Sequence, residues 1–175
     1  KKASESDAAF VQLDSELIRQ YAGYWRADAP GLAAGTYVMN IVAVMKDGSR
    51  ISCKTGTLDV KAHDRSGFAF SSKSQYGTGS GAYNDDGTLK SNAQVVYVTA
   101  DTAKTCKAVV GGKEITGFQS ILDAKQKDTT GTPIDFRIIG RVSRNDLDHI
   151  SSSSEGIQIK GKSAYAQINI TVQGI

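Results

Sequence analysis

Apolar residues in this chain fall mostly into short runs that alternate with polar ones, a period of two that predicts strands rather than helices. Phe10, Val11 and Leu13 precede a polar Asp14-Ser15-Glu16 turn, residues 17–21 can run back, and Ala22-Gly23 can turn again, as in a meander. The strongest alternation covers residues 37–45, with Tyr37, Met39, Ile41, Ala43 and Met45 on one face and Val38, Asn40, Val42 and Val44 on the other. Both faces are largely apolar, so a central strand is expected. Lys46-Asp47-Gly48-Ser49 suits a hairpin turn, and residues 50–60 return with Ile51, Cys53, Leu58 and Val60 as the inward set.

Between residues 61 and 94 the alternation lapses and Gly, Ser, Asn and Asp accumulate. This stretch divides the chain into residues 1–62, a lead-in over 63–94, and residues 95–175. Phe68, Phe70, Tyr76 and Tyr83 are the side chains able to pin the lead-in to a neighbouring surface. Strands resume at 95–99 and, weakly, at 108–110. A helix follows over 117–127, with Phe118, Ile121 and Leu122 as its apolar stripe and Thr116/Gln119 as a capping box. Residues 134–139, 156–160 and 166–173 read as further strands; in the last, Ile168, Ile170 and Val172 oppose Asn169, Thr171 and Gln173. No hairpin turn joins them. The gap over 161–165 is too short for a helical crossover between neighbouring parallel strands, which suggests a solenoid corner.

Composition agrees with a mainly β chain: 18 glycines and seven tyrosines stand against two prolines and two methionines. A net charge of +3, with the basic residues scattered, argues against nucleic acid as a partner. No apolar run approaches the roughly 20 residues that a membrane-spanning helix needs. Cys53 and Cys106 lie in no short metal-binding or redox spacing and read as buried thiols rather than a disulfide. The start at Lys1-Lys2, without Met or an apolar signal segment, suggests processing or truncation.

The order of motifs in "VVYVTADTAKTCKAVV", "ITGFQSILDA", "TPIDFRIIGRV", "EGIQIKG" and "AYAQINITVQGI" resembles the opening of a polysaccharide lyase family 1 pectate lyase. The resemblance covers about the last half of the chain, with residues 136–142 and 169–175 in the places of the family's first two glycine-terminated strands. Upstream, "LIRQYAGYWRADAPGLAAGTYVMNIVAVMKDGSRISCKTGTLDVKAHDRSGFAF" resembles the later strands of a fibronectin type III-like module. The fold implied is a partial fibronectin type III-like β-sandwich, then the N-terminal cap helix and first strands of a right-handed parallel β-helix, truncated at both ends. The resemblance further implies a secreted, extracellular bacterial enzyme that cleaves polygalacturonate (pectin) by calcium-dependent β-elimination. The alternative is a non-catalytic carbohydrate-binding or spacer module of an extracellular protein. A polygalacturonase-like hydrolase, with paired carboxylates, is a third possibility.

In the family an arginine serves as base and carboxylates from successive coils hold calcium. Both sets would fall beyond Ile175, so no catalytic, cofactor-binding or metal-ligating residue is assigned to this chain, and the fragment itself is expected to be inactive. Arg137 and Arg141 read as unpaired surface arginines. Asp85-Asp86 and Asp146/Asp148 read as loop carboxylates too few for the six to eight oxygens calcium takes. Residues 156–163 match GxxxxGK[ST], but Ile157 and Ile159 alternate as in a strand and no helix follows, so the match is a decoy. Gly77, Gly79 and Gly81 form no dinucleotide fingerprint. His63 and His149 stand without companion ligands, Tyr24 and Trp25 suit a core more than a sugar platform, and residues 151–154 read as a solvated loop.

Overall fold

The computed structural model describes residues 1–12, 32–62, 81–150, 157–159 and 169–174, together with the backbone of 18–21 and 24–26. The chain is mainly β, as its alternation predicts. A 3-10 turn, Asp7–Ala9, is followed by the antiparallel pair β1 (Ile18–Tyr21) and β2 (Tyr24–Arg26).

The next four strands form one long ribbon. β3 (Gly35–Tyr37) pairs with β6 (Leu58–Val60), and β4 (Asn40–Val44) pairs with β5 (Arg50–Lys54), all antiparallel. At the turn Asp47 Oδ1 accepts the Ser49 amide at 2.9 Å and its hydroxyl at 2.7 Å, while Gly48 takes φ +84, which a side chain disfavours. The expected single strand over 37–45 is broken at Val38-Met39. There the Thr55 hydroxyl accepts the Met39 amide at 3.0 Å, and Thr55 N donates to Met39 O at 2.9 Å, so a side chain intrudes into the ladder.

The expectation that this strand is central is also overturned. All of β4 and β5 is exposed, with Ile41 and Ile51 each at 62%. Leu58 and Cys53 are exposed as well, and only Val60 of the inward set is half-buried. The physical reason is topological: both strands spend their hydrogen bonds on each other, and no described sheet covers either face. Alternation alone cannot tell a strand with two apolar faces in a core from one on a ribbon.

The core lies in the second half. β7 (Gln94–Val98), β10 (Ile134–Ile138) and β11 (Ile170–Gly174) form a parallel sheet in the order β11-β10-β7. Their registers coincide, so Val96, Phe136 and Val172 form one rung, and Tyr97, Arg137 and Gln173 the next. Because strand side chains alternate, one face is apolar and the other polar. The apolar face is covered by α1 (Phe118–Lys125) and by the hairpin β8 (Lys107–Val110)/β9 (Lys113–Thr116). Phe118, Ile121 and Leu122 are each at most 1% exposed, and Phe118 meets Phe136 at 5.0 Å between ring centroids. The stripe expected of α1 is therefore the one that is buried. β9 went unforeseen because its residues 113–116 are mostly polar and exposed.

Of the strands expected at 156–160 and 166–173, residues 157–159 are not in a strand, Asn169 is in a turn and 170–173 belong to β11; the others, with the 161–165 corner, lie outside the described residues. So do Asp14-Ser15-Glu16, Ala22-Gly23, Phe68, Phe70, Tyr76, His63, Gly77, Gly79, residues 151–154 and most of 156–163. No described helix is long and apolar enough to cross a membrane.

Candidate functional site

Two polar clusters are assembled by the parallel sheet and its helix. The first sits on the sheet's polar face. Asp135 and Arg137 are two apart in β10 and so emerge on one side; both are buried, Arg137 at 7% exposure. Arg137 Nε donates to Asp135 Oδ2 at 2.9 Å, and its Nη2 donates to the Tyr83 hydroxyl at 2.7 Å. Tyr83 in turn donates to Asp135 Oδ2 at 2.5 Å. From β11, Gln173 Nε2 donates to Asp135 Oδ1 at 2.8 Å and to the Tyr83 oxygen at 2.9 Å. Three side chains, from the lead-in, β10 and β11, thus close on one carboxylate.

Tyr83 arrives from the lead-in, whose end forms a small turn over 83–89. Asp86 Oδ1 accepts the Thr88 amide at 2.9 Å, Tyr83 bridges Leu89, and Ala82 is fully buried. The segment is sewn to β11 by Ala82 N donating to Thr171 Oγ1 at 2.9 Å, and Lys90 Nζ donates both to Gly81 O at 2.7 Å and to Asn169 Oδ1 at 3.0 Å. Gly81 is required here: at φ +64, a Cβ would lie 2.6 Å from the Ile170 carbonyl oxygen. Among the expected aromatic pins, Tyr83 does fasten the lead-in to a neighbouring surface.

The electrostatics of this cluster are those of a saturated network. Burial disfavours the charge on Arg137, but its hydrogen bonds with Asp135 and Tyr83 outweigh that and hold its pKa above the usual guanidinium range. Burial and the Asp135 carboxylate push Tyr83 upward, so it stays a neutral phenol. The expectation of an unpaired surface Arg137 is overturned, because the lead-in and β11 cover this face. A base would need the opposite field, one that lowers the arginine pKa. Arg141 is exposed, as expected.

The second cluster lies at the start of α1. The expected Thr116/Gln119 capping box is absent: Gly117 is the N-cap and offers no side chain. The cap comes instead from Asp148, which accepts Gln119 N at 2.9 Å, Ser120 N at 3.0 Å and the Ser120 hydroxyl at 2.6 Å. Burial would raise the Asp148 pKa, but these bonds prevail and hold it below the ordinary carboxylate range. His149 is not alone either, since its ring lies between Asp148 and Asp123. Asp146, by contrast, closes its own turn, accepting the Ser143 amide and hydroxyl at 2.7 Å each.

No protein-family model, curated protein or solved structure matches this chain.

Chemically, neither cluster presents a free nucleophile. Cys106 is half-buried, and burial with the nearby Asp148 charge pushes its thiol up to about 11; Cys53 is exposed, and the two do not pair. The carboxylates of Asp86, Asp146 and Asp148 each accept hydrogen bonds from neighbouring amides and hydroxyls. Among the described residues no three His, Cys, Asp or Glu side chains are grouped so that they could hold a metal ion. Asp135 escaped sequence reasoning, although an Asp-x-Arg pair inside an apolar strand was the available signal.

The Asp148 cap depends on Gly117, whose φ is +96 and whose Cβ, if present, would lie 2.5 Å from the Asp148 carboxyl carbon. Gly117→Ala is expected to cost about 1–3 kcal/mol through strain and a displaced cap, read from urea unfolding. Asp148→Ala should cost about 1–2 kcal/mol. Since both remove the same cap, the double variant should lose clearly less than the sum; full additivity would show that Gly117 acts by strain alone.

Proposed function

We propose that this chain is the N-terminal part of a polysaccharide lyase family 1 pectate lyase, secreted by a bacterium and acting on polygalacturonate by calcium-dependent β-elimination. In this reading residues 95–175 open a right-handed parallel β-helix, and residues 1–62 belong to a fibronectin type III-like module ahead of it. The observation that carries the reading is the parallel, in-register stack of β7, β10 and β11, whose order in space follows their order along the chain. Adding each strand to the same edge is what a coiling chain does, and no reversal of direction occurs among these three strands. The amphipathic α1 on the stack's apolar face supports it in the role of a cap.

No residue described here is assigned to the chemistry, which would fall to later coils. Arg137 is locked to Asp135 and Tyr83 and serves the coil stack instead. The test compares this chain with the full product of its gene on polygalacturonate, following the ultraviolet absorbance of unsaturated ends. Expected are a calcium-dependent, chelator-sensitive signal from the full product and none from residues 1–175 alone. New reducing ends without that absorbance would replace the lyase with a hydrolase. Polygalacturonate binding without turnover by the full product would leave only the carbohydrate-binding module.

A further inference from the structure

The loop over 143–150 returns to α1 at three successive residues. Leu147 enters the core at 6% exposure, Asp148 caps the helix, and His149 lies across the outside. His149 Nδ1 is 3.0 Å from Asp148 Oδ2, and Nε2 is 2.8 Å from Asp123 Oδ2. An ionised carboxylate only accepts hydrogen bonds, so each contact requires an N–H on the facing ring nitrogen. Neutral imidazole has one N–H and imidazolium has two. The geometry is therefore satisfied in full only by the charged ring.

We propose that His149 is a protonation-controlled latch holding the 143–150 loop against α1. The neutral ring must turn a lone pair toward one carboxylate, which releases either the link to Asp123 or the link to Asp148. Asp123 stays anchored to α1 in either state, because its other oxygen accepts Gln119 Nε2 at 2.8 Å and Gln126 Nε2 at 3.2 Å; the oxygen freed from His149 is left to water. Asp148 keeps its helix amides in either state, so opening loosens the cap without undoing it.

Among the described residues the titratable groups facing the latch are few. Asp123 reaches the ring from α1, Asp148 from the loop itself, and Cys106, a neutral thiol, faces Asp148 from the residue before β8. Lys104 and Arg141 act on Asp146 instead. The Asp123 hydrogen bond is the main influence on His149; with Asp148 it outweighs the opposing effect of burial and raises the imidazole pKa above its ordinary 6.5. The stabilisation is thus complete below the ordinary imidazole range and is lost as pH rises through the raised value. At lower pH the link to Asp148 lasts until that carboxyl protonates, which its depressed pKa delays.

The experiment uses the whole chain and needs no ligand. Imidazole resonances report His149 protonation, and hydrogen exchange at the Gln119 and Ser120 amides reports the cap. After correction for intrinsic base catalysis, protection of both amides should fall about two- to five-fold as His149 deprotonates, the range for an exposed ion pair. His149→Gln should give protection that does not change over the same pH span. Asp123→Asn, which keeps the side-chain shape, should move the transition to lower pH. Protection in the unaltered chain that ignores His149 titration, or an unchanged transition in His149→Gln, would overturn the latch.

Discussion

Asp135→Ala should be among the most damaging single substitutions in the described fold, costing about 3–5 kcal/mol. It removes the acceptor shared by Arg137, Tyr83 and Gln173, and it leaves a guanidinium buried beneath the lead-in. The measurement is the midpoint and slope of urea unfolding. A larger slope change than in ordinary core variants would show that the lead-in has also come free. The informative companion is Asp135→Leu with Arg137→Met. Removing both charges and filling the space should restore most of the loss, since a buried pair contributes far less than the cost of breaking it. If Asp135→Ala costs under about 1 kcal/mol, the range of an exposed ion pair, the network does not hold the sheet's polar face.

The second large effect is expected at Lys125 and Asp128, whose side chains are fully buried and paired three residues apart. Lys125 Nζ also donates to Thr132 O at 2.8 Å, and Asp128 accepts the Thr130 amide at 2.9 Å and hydroxyl at 2.6 Å. Together they set the short connection from α1 into β10. Asp128→Ala strands an ammonium in the interior and should cost about 3–5 kcal/mol. Lys125→Met should cost less, because Asp128 keeps its two bonds from Thr130. Burial acts to raise the Asp128 pKa, but the hydrogen bonds from Lys125 and Thr130 prevail and depress it below 3.8. Its contribution is therefore present above the unfolded-state value and lost as pH falls through the depressed one. Acid unfolding should be less steep in Asp128→Ala than in the unaltered chain; identical steepness would mean that the pair is not ionised in the fold.

Strand periodicity and the stripe of α1 were legible because the forces behind them are local. β7, β10 and the α1 stripe fall within a residue or two of where alternation and helical spacing put them. Placement was not legible. The alternation in 37–45 looks the same on an exposed ribbon as in a core, and only pairing decides between them. The polar contacts failed for a related reason. Asp148 lies 29 residues from the Gln119 amide it caps, and Tyr83 lies 54 from Arg137. A nearby Thr116 and Gln119 imitate a capping box well enough to hide the distant carboxylate that does the work.

The sewing of residues 81–90 onto β11 also orders events at the ribosome. The Ala82 amide is 89 residues upstream of Thr171, and Tyr83 is 90 upstream of Gln173. During synthesis the Asp135–Arg137 pair can meet Tyr83 before Gln173 exists, but the lead-in cannot be fastened along its whole length until β11 has left the exit tunnel. Until then the nascent polypeptide carries a half-closed sheet whose last partner has yet to be translated.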